Sequence, residues 1–209
     1  MDKFLLNRFL IPLIITTFFF YFQVYSKHLE SFLKRKVENK RKLETFLFLL
    51  DSLKVKKARL ERIVLIPAAS AILLEVFLSF VFRMPLHSYF EPLWFAGLTS
   101  GFLAPVAEEF LTRAIFLGSA CTLLFSLKVG KKFRIFYYSL WLLLSSFVFL
   151  AGHENFTFFQ VAVRFSSSIL YGVLYLANER NVLPSIVAHA SANWFIILKD
   201  LIFGFESAI

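Results

Sequence analysis

Several stretches of about 18 to 22 residues in this chain carry almost no charge, the length an α-helix needs to cross a ~30 Å hydrocarbon core. In lipid every backbone N–H and C=O must find its partner within the protein, so such stretches fold as helices. The expected architecture is therefore all-α, a polytopic transmembrane bundle of about six to seven membrane helices. The composition agrees: 58% of the 209 residues are hydrophobic, 29 are phenylalanine, and only 18% are charged. This excludes an ordinary soluble globule. One cysteine, Cys121, also excludes an internal disulfide and a cysteine-rich zinc site.

The formal charge of +9 is concentrated in one place. Residues 27–62 hold 12 Lys/Arg against 5 Asp/Glu, so the basicity marks a loop and gives no reason to expect a nucleic-acid partner. Within it Leu43, Phe46, Leu47, Leu50 and Leu53 recur at helical spacing among the cations. That pattern suits a helix on an anionic membrane surface or a solvated basic helical hairpin. The excess of Lys/Arg places the loop in the cytoplasm and the N-terminus outside.

The apolar windows run over 4–25, 63–82, 92–127, 133–152, 156–177 and 184–203. The first is too long for a signal-peptide core and has no small-residue cleavage site after it, so it reads as a retained membrane helix. Gly97, Gly101 and Pro105 interrupt the long window from 92. They predict a short or broken segment followed by a full helix from about Ala104. The basic turn of Lys128, Lys131, Lys132 and Arg134 prefers the cytoplasm, which favours a first piece that does not fully cross.

Ionisable residues inside such helices cost about 2.5 to 3.5 kcal/mol each at mid-depth and need a partner or a purpose. They are Glu75, Glu108, Glu109, Arg113, His153, Arg164 and His189, with Asn193 as an uncharged companion and Lys199 and Asp200 near a helix end. Adjacent Glu108 and Glu109 project about 100° apart on a helix. Glu109 and Arg113, at i and i+4 in the acid-first order, pair with each other and leave Glu108 free to point elsewhere. Phe149 and His153 share a face, with Gly152 open to the close approach of another backbone. His189 and Asn193 share another face, among small residues that permit tight packing. Each group alone is also what structural polar contacts between membrane helices look like. Glu75 and Arg164 are expected to face the bundle interior, paired or lining a cavity.

Taken together, a carboxylate, two imidazoles and an amide on three helices are the parts for activating water against a carbonyl. Glu108 can take a proton from water with His153 orienting it, while His189 and Asn193 can donate to the developing oxyanion. Glu108, His153 and His189 could instead hold zinc, although no HExxH run requires it. Ser166, Ser167, Ser168 and Ser191 lack a G-x-S-x-G context for a serine mechanism. A proton or ion pathway uses the same residue types, which keeps a transporter, channel or scaffold open as the alternative.

The ordered set Glu108-Glu109-Phe-Leu-Thr-Arg113, Phe149-x-x-x-His153 and His189-x-x-x-Asn193 resembles the CPBP family of intramembrane proteases, also called the CAAX protease or ABI family. The resemblance spans roughly 103–194 and includes the Leu183-Pro-Ser-Ile-Val-Ala-His189 approach to the last motif. It implies peptide-bond hydrolysis by a glutamate-type mechanism. Glu108 matches the water-activating glutamate and His153 its partner; His189 and Asn193 match the oxyanion side, and Glu109 and Arg113 complete the first motif. Its implied substrates are membrane-associated, prenylated or otherwise sorted proteins and peptide precursors, and some members are linked to bacteriocin immunity.

The expected organisation is a membrane helix plus basic segment over 1–62 and a protease core over 63–209. The expected location is a prokaryotic cytoplasmic membrane, with anionic lipid as a partner of residues 27–62 and no cofactor demanded by sequence. One geometric demand remains: His153 ends one helix and His189 begins another about 20 residues apart, so simple full crossings would set them at opposite faces. Catalysis requires Glu108, His153, His189 and Asn193 to converge on one polar cavity.

Overall fold

The computed structural model describes residues 6–82, 92–127, 130–153 and 157–204; Lys128 of the basic turn lies outside them. Among the described residues there are seven helices and no strand. They are α1 (Ile11–Lys36), α2 (Lys40–Leu53), α3 (Ile66–Phe82), α4 (Leu93–Ser126), α5 (Lys131–Ala151), α6 (Phe158–Ala177) and α7 (Leu183–Gly204). Six are long and apolar enough to cross a membrane, all but the basic α2. Large apolar side chains such as Phe80, Trp94, Phe133 and Phe158 stand exposed around the bundle, as expected where the surrounding solvent is lipid.

Local chemistry sets the helix starts. Asn39 accepts from Lys42 N at 3.1 Å to begin α2, Thr157 and Gln160 form a capping box ahead of α6, and Asn181 Oδ1 accepts from Leu183 N at 3.2 Å to begin α7. Helices α5 and α6 pack as a hairpin, α6 and α7 as a second, and α3 lies along α7. Helix α1 joins the bundle through Phe19, whose ring meets Phe110 edge-on at 5.2 Å.

The expected break after residue 92 does not occur. α4 is one continuous 34-residue helix, in which wide, π-type turns replace the break at Thr99–Leu103 and again at Phe110–Leu117. Pro105 sits in the first turn of the regular piece Ala104–Glu109, directly after the first wide turn, where the helix continues past a residue that has no N–H to give to the turn before it. Gly97 and Gly101 break nothing. The indole of Trp194 rests on them so closely that an added Cβ would lie 2.6 Å and 2.7 Å from ring atoms.

The basic segment is clamped to the bundle. Phe48 of α2 stacks on Phe125 of α4 with ring centroids 4.3 Å apart, and Leu50 is buried. Of the apolar stripe read in the sequence, Phe46 remains exposed while Leu43, Leu47 and Leu53 are half-buried. Arg180, in the turn between α6 and α7, donates to Phe48 O at 3.0 Å, Ser52 Oγ at 2.6 Å and Asp51 Oδ2 at 3.0 Å. Its guanidinium carbon lies 3.6 Å from the centre of the Phe48 ring. Glu179 and Arg180 both adopt positive φ, 56° and 65°, a conformation costing non-glycine residues about 1 to 2 kcal/mol each, which these contacts offset.

Candidate active site

Glu108 and Glu109 end the regular segment of α4 between its two wide turns. Glu109 is fully buried and points into the bundle, where its Oε2 accepts from Arg113 Nε at 3.2 Å. Arg113 is also fully buried and is satisfied on every side. It donates to Ser145 Oγ of α5, and to Ser168 of α6 at 2.9 Å for the carbonyl and 2.5 Å for the hydroxyl. The pair expected from the i, i+4 spacing thus forms, and it stitches three helices together. A buried ion pair without these further bonds would be a net cost.

The second oxygen of Glu109 takes His189, whose Nδ1 lies 3.1 Å from Oε1. A carboxylate only accepts, so Nδ1 carries the proton and Nε2 is aimed the other way. It faces Glu108, with Nε2 3.9 Å from Oε2. His153 faces the same oxygen from the end of α5, its Nε2 at 3.8 Å. His153 Nδ1 lies 2.8 Å from Phe149 O, one turn earlier, and donates there. Glu108 Oε2 has no hydrogen-bond partner of its own.

The structure therefore brings together Glu108, Glu109, Arg113, His153 and His189. The two histidines meet because the end of α5 lies beside the early turns of α7, where the Phe149 and His189 ring centroids are 5.4 Å apart. Asn193, one turn after His189, donates from Nδ2 to Ser100 O at 2.6 Å. Among the described residues, a Cβ at Gly152 would meet only Phe149 O of its own helix, at 3.5 Å. Its place is the helix end, where the chain turns His153 inward.

The imidazoles are held by aromatic rings. Tyr171 stacks on His189 with centroids 5.0 Å apart and planes 17° apart, and Phe149 lies tilted against His153 at 4.8 Å and edge-on to His189 at 5.4 Å. Arg164 is half-buried on α6, within electrostatic reach of Glu108. Glu75 is buried on α3 and accepts from Ser167 Oγ at 2.8 Å. Ser145, Ser168, Tyr171 and Ser100 were not singled out as site partners by the motifs. The run Ser166-Ser167-Ser168 was the available signal, and its hydroxyls serve Ala162 O, Glu75 and Arg113 in turn.

Zinc bound by Glu108, His153 and His189 would draw the ligand atoms to about 3.3 Å from one another, given bonds of about 2.0 to 2.1 Å. The observed 3.8 Å and 3.9 Å are wider, and among the described residues no three His, Cys, Asp or Glu side chains are gathered to hold a metal.

No curated protein and no solved structure matches the chain. A family model does: that described as type II CAAX prenyl endopeptidase Rce1-like matches residues 90–195, which include every residue of the three motifs and the whole Glu108, His153 and His189 cluster. The chain is an integral membrane protein that belongs to the Rce1-like family of type II CAAX prenyl endopeptidases.

Proposed function

We propose that this protein is an intramembrane endopeptidase that hydrolyses a peptide bond near the end of a prenylated, membrane-associated protein, with water activated by Glu108. The observation that carries the proposal is the convergence of two imidazole Nε2 atoms, 3.8 Å and 3.9 Å away, on a carboxylate oxygen that has no other partner.

Glu108 Oε2 holds the water and takes its proton as the oxygen attacks the scissile carbonyl. His153, its tautomer set by Phe149 O, presents Nε2 to the same water and orients it. His189, when doubly protonated against Glu109, donates from Nε2 to the oxyanion. Asn193 spends one amide hydrogen on Ser100 O and has a second for the same oxyanion. The proton on Glu108 then passes to the leaving amine. Arg113 and Glu109 touch no substrate in this scheme; they fix the geometry of His189. No metal is used.

The Lys/Arg excess of residues 27–62 supports a cytoplasmic placement of α2, with the N-terminus outside a prokaryotic cytoplasmic membrane. The exposed cations of this segment supply a contact for anionic lipid. In cells carrying wild type or Glu108→Ala at matched expression, mass spectrometry of membrane-protein termini tests the proposal. Defined termini that vanish in the variant identify the substrate. Termini that are unchanged at sound expression reject the protease and favour a transport or scaffold role.

A further inference from the structure

Helix α1 lies outside the matched family region and carries two stripes on opposite sides. One packs into the bundle: Thr16, Phe19 and Ser26 are buried along it, and Gln23 and Glu30, at the same spacing, bond to Leu53 O and to Lys54. The other consists of Ile11, Ile14, Phe18, Tyr21, Tyr25, His28 and Phe32, every one of them exposed. Its steps alternate three and four residues without a slip over three heptads. A face that only meets lipid has no need of a seven-residue repeat, whereas a strict repeat is the narrow seam along which one helix takes another. The flanking positions Ile15, Thr17, Phe22, Val24, Leu29 and Ser31 carry no charge, and Lys27, Glu30 and Lys34 fall on the opposite side of the helix. A hollow of about 450 Å³, its lining residues all on α1, lies among the side chains from Phe18 to Phe32, room for the knobs of a facing helix.

Lipid cannot cover the whole of this stripe. The continuous helix Arg8–Lys36 has 29 residues, about 43 Å at 1.5 Å per residue, against a hydrocarbon core of ~30 Å. Its basic end, Lys34 to Lys36, lies in water, so His28, Leu29 and Phe32 stand beyond the hydrocarbon, where an exposed apolar surface calls for a protein partner. We propose that this seam is a self-association surface, on which α1 of a second copy of this chain docks in parallel along residues 11–32. Two copies insert in the membrane the same way, so their α1 helices run parallel and each seam residue meets its own counterpart across a twofold axis. Ring then faces ring at 18, 21, 25 and 32, and no Lys, Arg, Asp or Glu enters the seam. Tyr21 and Tyr25 are already stacked, with centroids 4.2 Å apart, as one flat plate of that surface. The pairing does not depend on the peptidase reaction.

Cysteine cross-linking of the full chain in native membranes decides it. Cys121 is buried, and Cys121→Ala gives a background without thiols. Single cysteines then enter the seam as Tyr25→Cys, His28→Cys or Phe32→Cys, and the opposite side at similar depth as Lys27→Cys or Lys34→Cys. All of these side chains are exposed in the native chain, so none of the changes disturbs the core. A disulfide closes only where Cα atoms come within about 7 Å, which the seam of a close pair allows and its far side does not. Mild oxidation is expected to give a dimer of this chain at 25, 28 and 32 in about tenfold greater share than at 27 and 34. Adding Phe32→Asp to His28→Cys sets two carboxylates against each other in the seam and should cut the dimer yield at 28 by about fivefold. Shares that are low or equal on both sides of the helix leave lipid as the cover and overturn the proposal. A seam cross-link to a chain of another mass assigns the surface to a different protein and overturns it as well, and so does a yield at 28 that Phe32→Asp leaves unchanged.

Discussion

His189 Nδ1 lies 3.1 Å from Glu109 Oε1, so the second glutamate of the motif serves the histidine and leaves the first with an oxygen unbonded. The two adjacent carboxylates thereby divide by environment: Glu109 is fully buried and bonded on both oxygens, and Glu108 is one-third exposed with an idle oxygen.

Glu108→Gln keeps the shape and removes the base. Cleavage should fall by about 100-fold to 10,000-fold, the range general-base catalysis contributes, while melting in detergent stays close to wild type. A thermal scan beside a peptide assay checks both; a variant that is active but unstable would contradict the assignment.

Arg113→Met leaves Glu109 as an uncompensated buried charge. Breaking such a pair costs about 3 to 5 kcal/mol, and the loss should appear as a lower melting temperature and a drop in cleavage together. Glu109→Gln should be milder in stability, because its amide oxygen can still accept from Arg113, but it should lower kcat by releasing His189 Nδ1. The comparison of the two variants by differential scanning fluorimetry and initial rates separates folding from aim.

Chelation should do nothing. The imidazole and carboxylate atoms are spread wider than a zinc site, so prolonged treatment with 1,10-phenanthroline followed by gel filtration is expected to leave the rate unchanged, and elemental analysis should find no stoichiometric zinc. Loss of activity restored by added zinc would refute the metal-free reaction.

The cations on α2 and its flanks, among them Arg35, Lys36, Lys40, Lys57, Arg59 and Arg62, are exposed. In nanodiscs containing phosphatidylglycerol the protein should melt higher than in phosphatidylcholine, with about 1 kcal/mol of attraction available per cation near the surface. Raising salt toward 1 M, where the Debye length is about 3 Å, should erase the difference. An equal melting temperature in both lipids at low salt would remove anionic lipid as a partner.

Much of this architecture was legible because lipid leaves the backbone few choices. The helices over 63–82, 133–152, 156–177 and 184–203 follow from apolar length alone, and the Glu109–Arg113 pair from i, i+4 spacing. What was not legible depends on helix–helix offset. Nothing in the spacing of His153 and His189 states that the end of α5 packs beside the early turns of α7, since that meeting is made by the rings of Phe149, Tyr171 and His189. Gly97, Gly101 and Pro105 suggested a break by composition, but the breaking tendency is answered by Trp194 lying on the glycines and by wide turns that tolerate proline. The stripe on α2 suited a membrane surface and a solvated hairpin alike, because a sequence cannot distinguish a lipid face from one packed on a neighbouring helix.

The two wide turns of α4 carry one further consequence. A π-type turn takes up one residue more than the helix needs for the same climb, so each is a removable count in the chain. Deleting a single residue within 99–103 should restore a regular helix, at little cost in hydrogen bonds. A deletion in the regular piece Ala104–Glu109 between the two wide turns has no surplus to draw on, and it turns everything on one side of it by about 100° relative to the other. Glu108 and Glu109 would lose their register with either the Trp194 contact or the two histidines. The active site is in that sense a matter of arithmetic: its carboxylates face inward because the helix that carries them holds surplus residues on both sides.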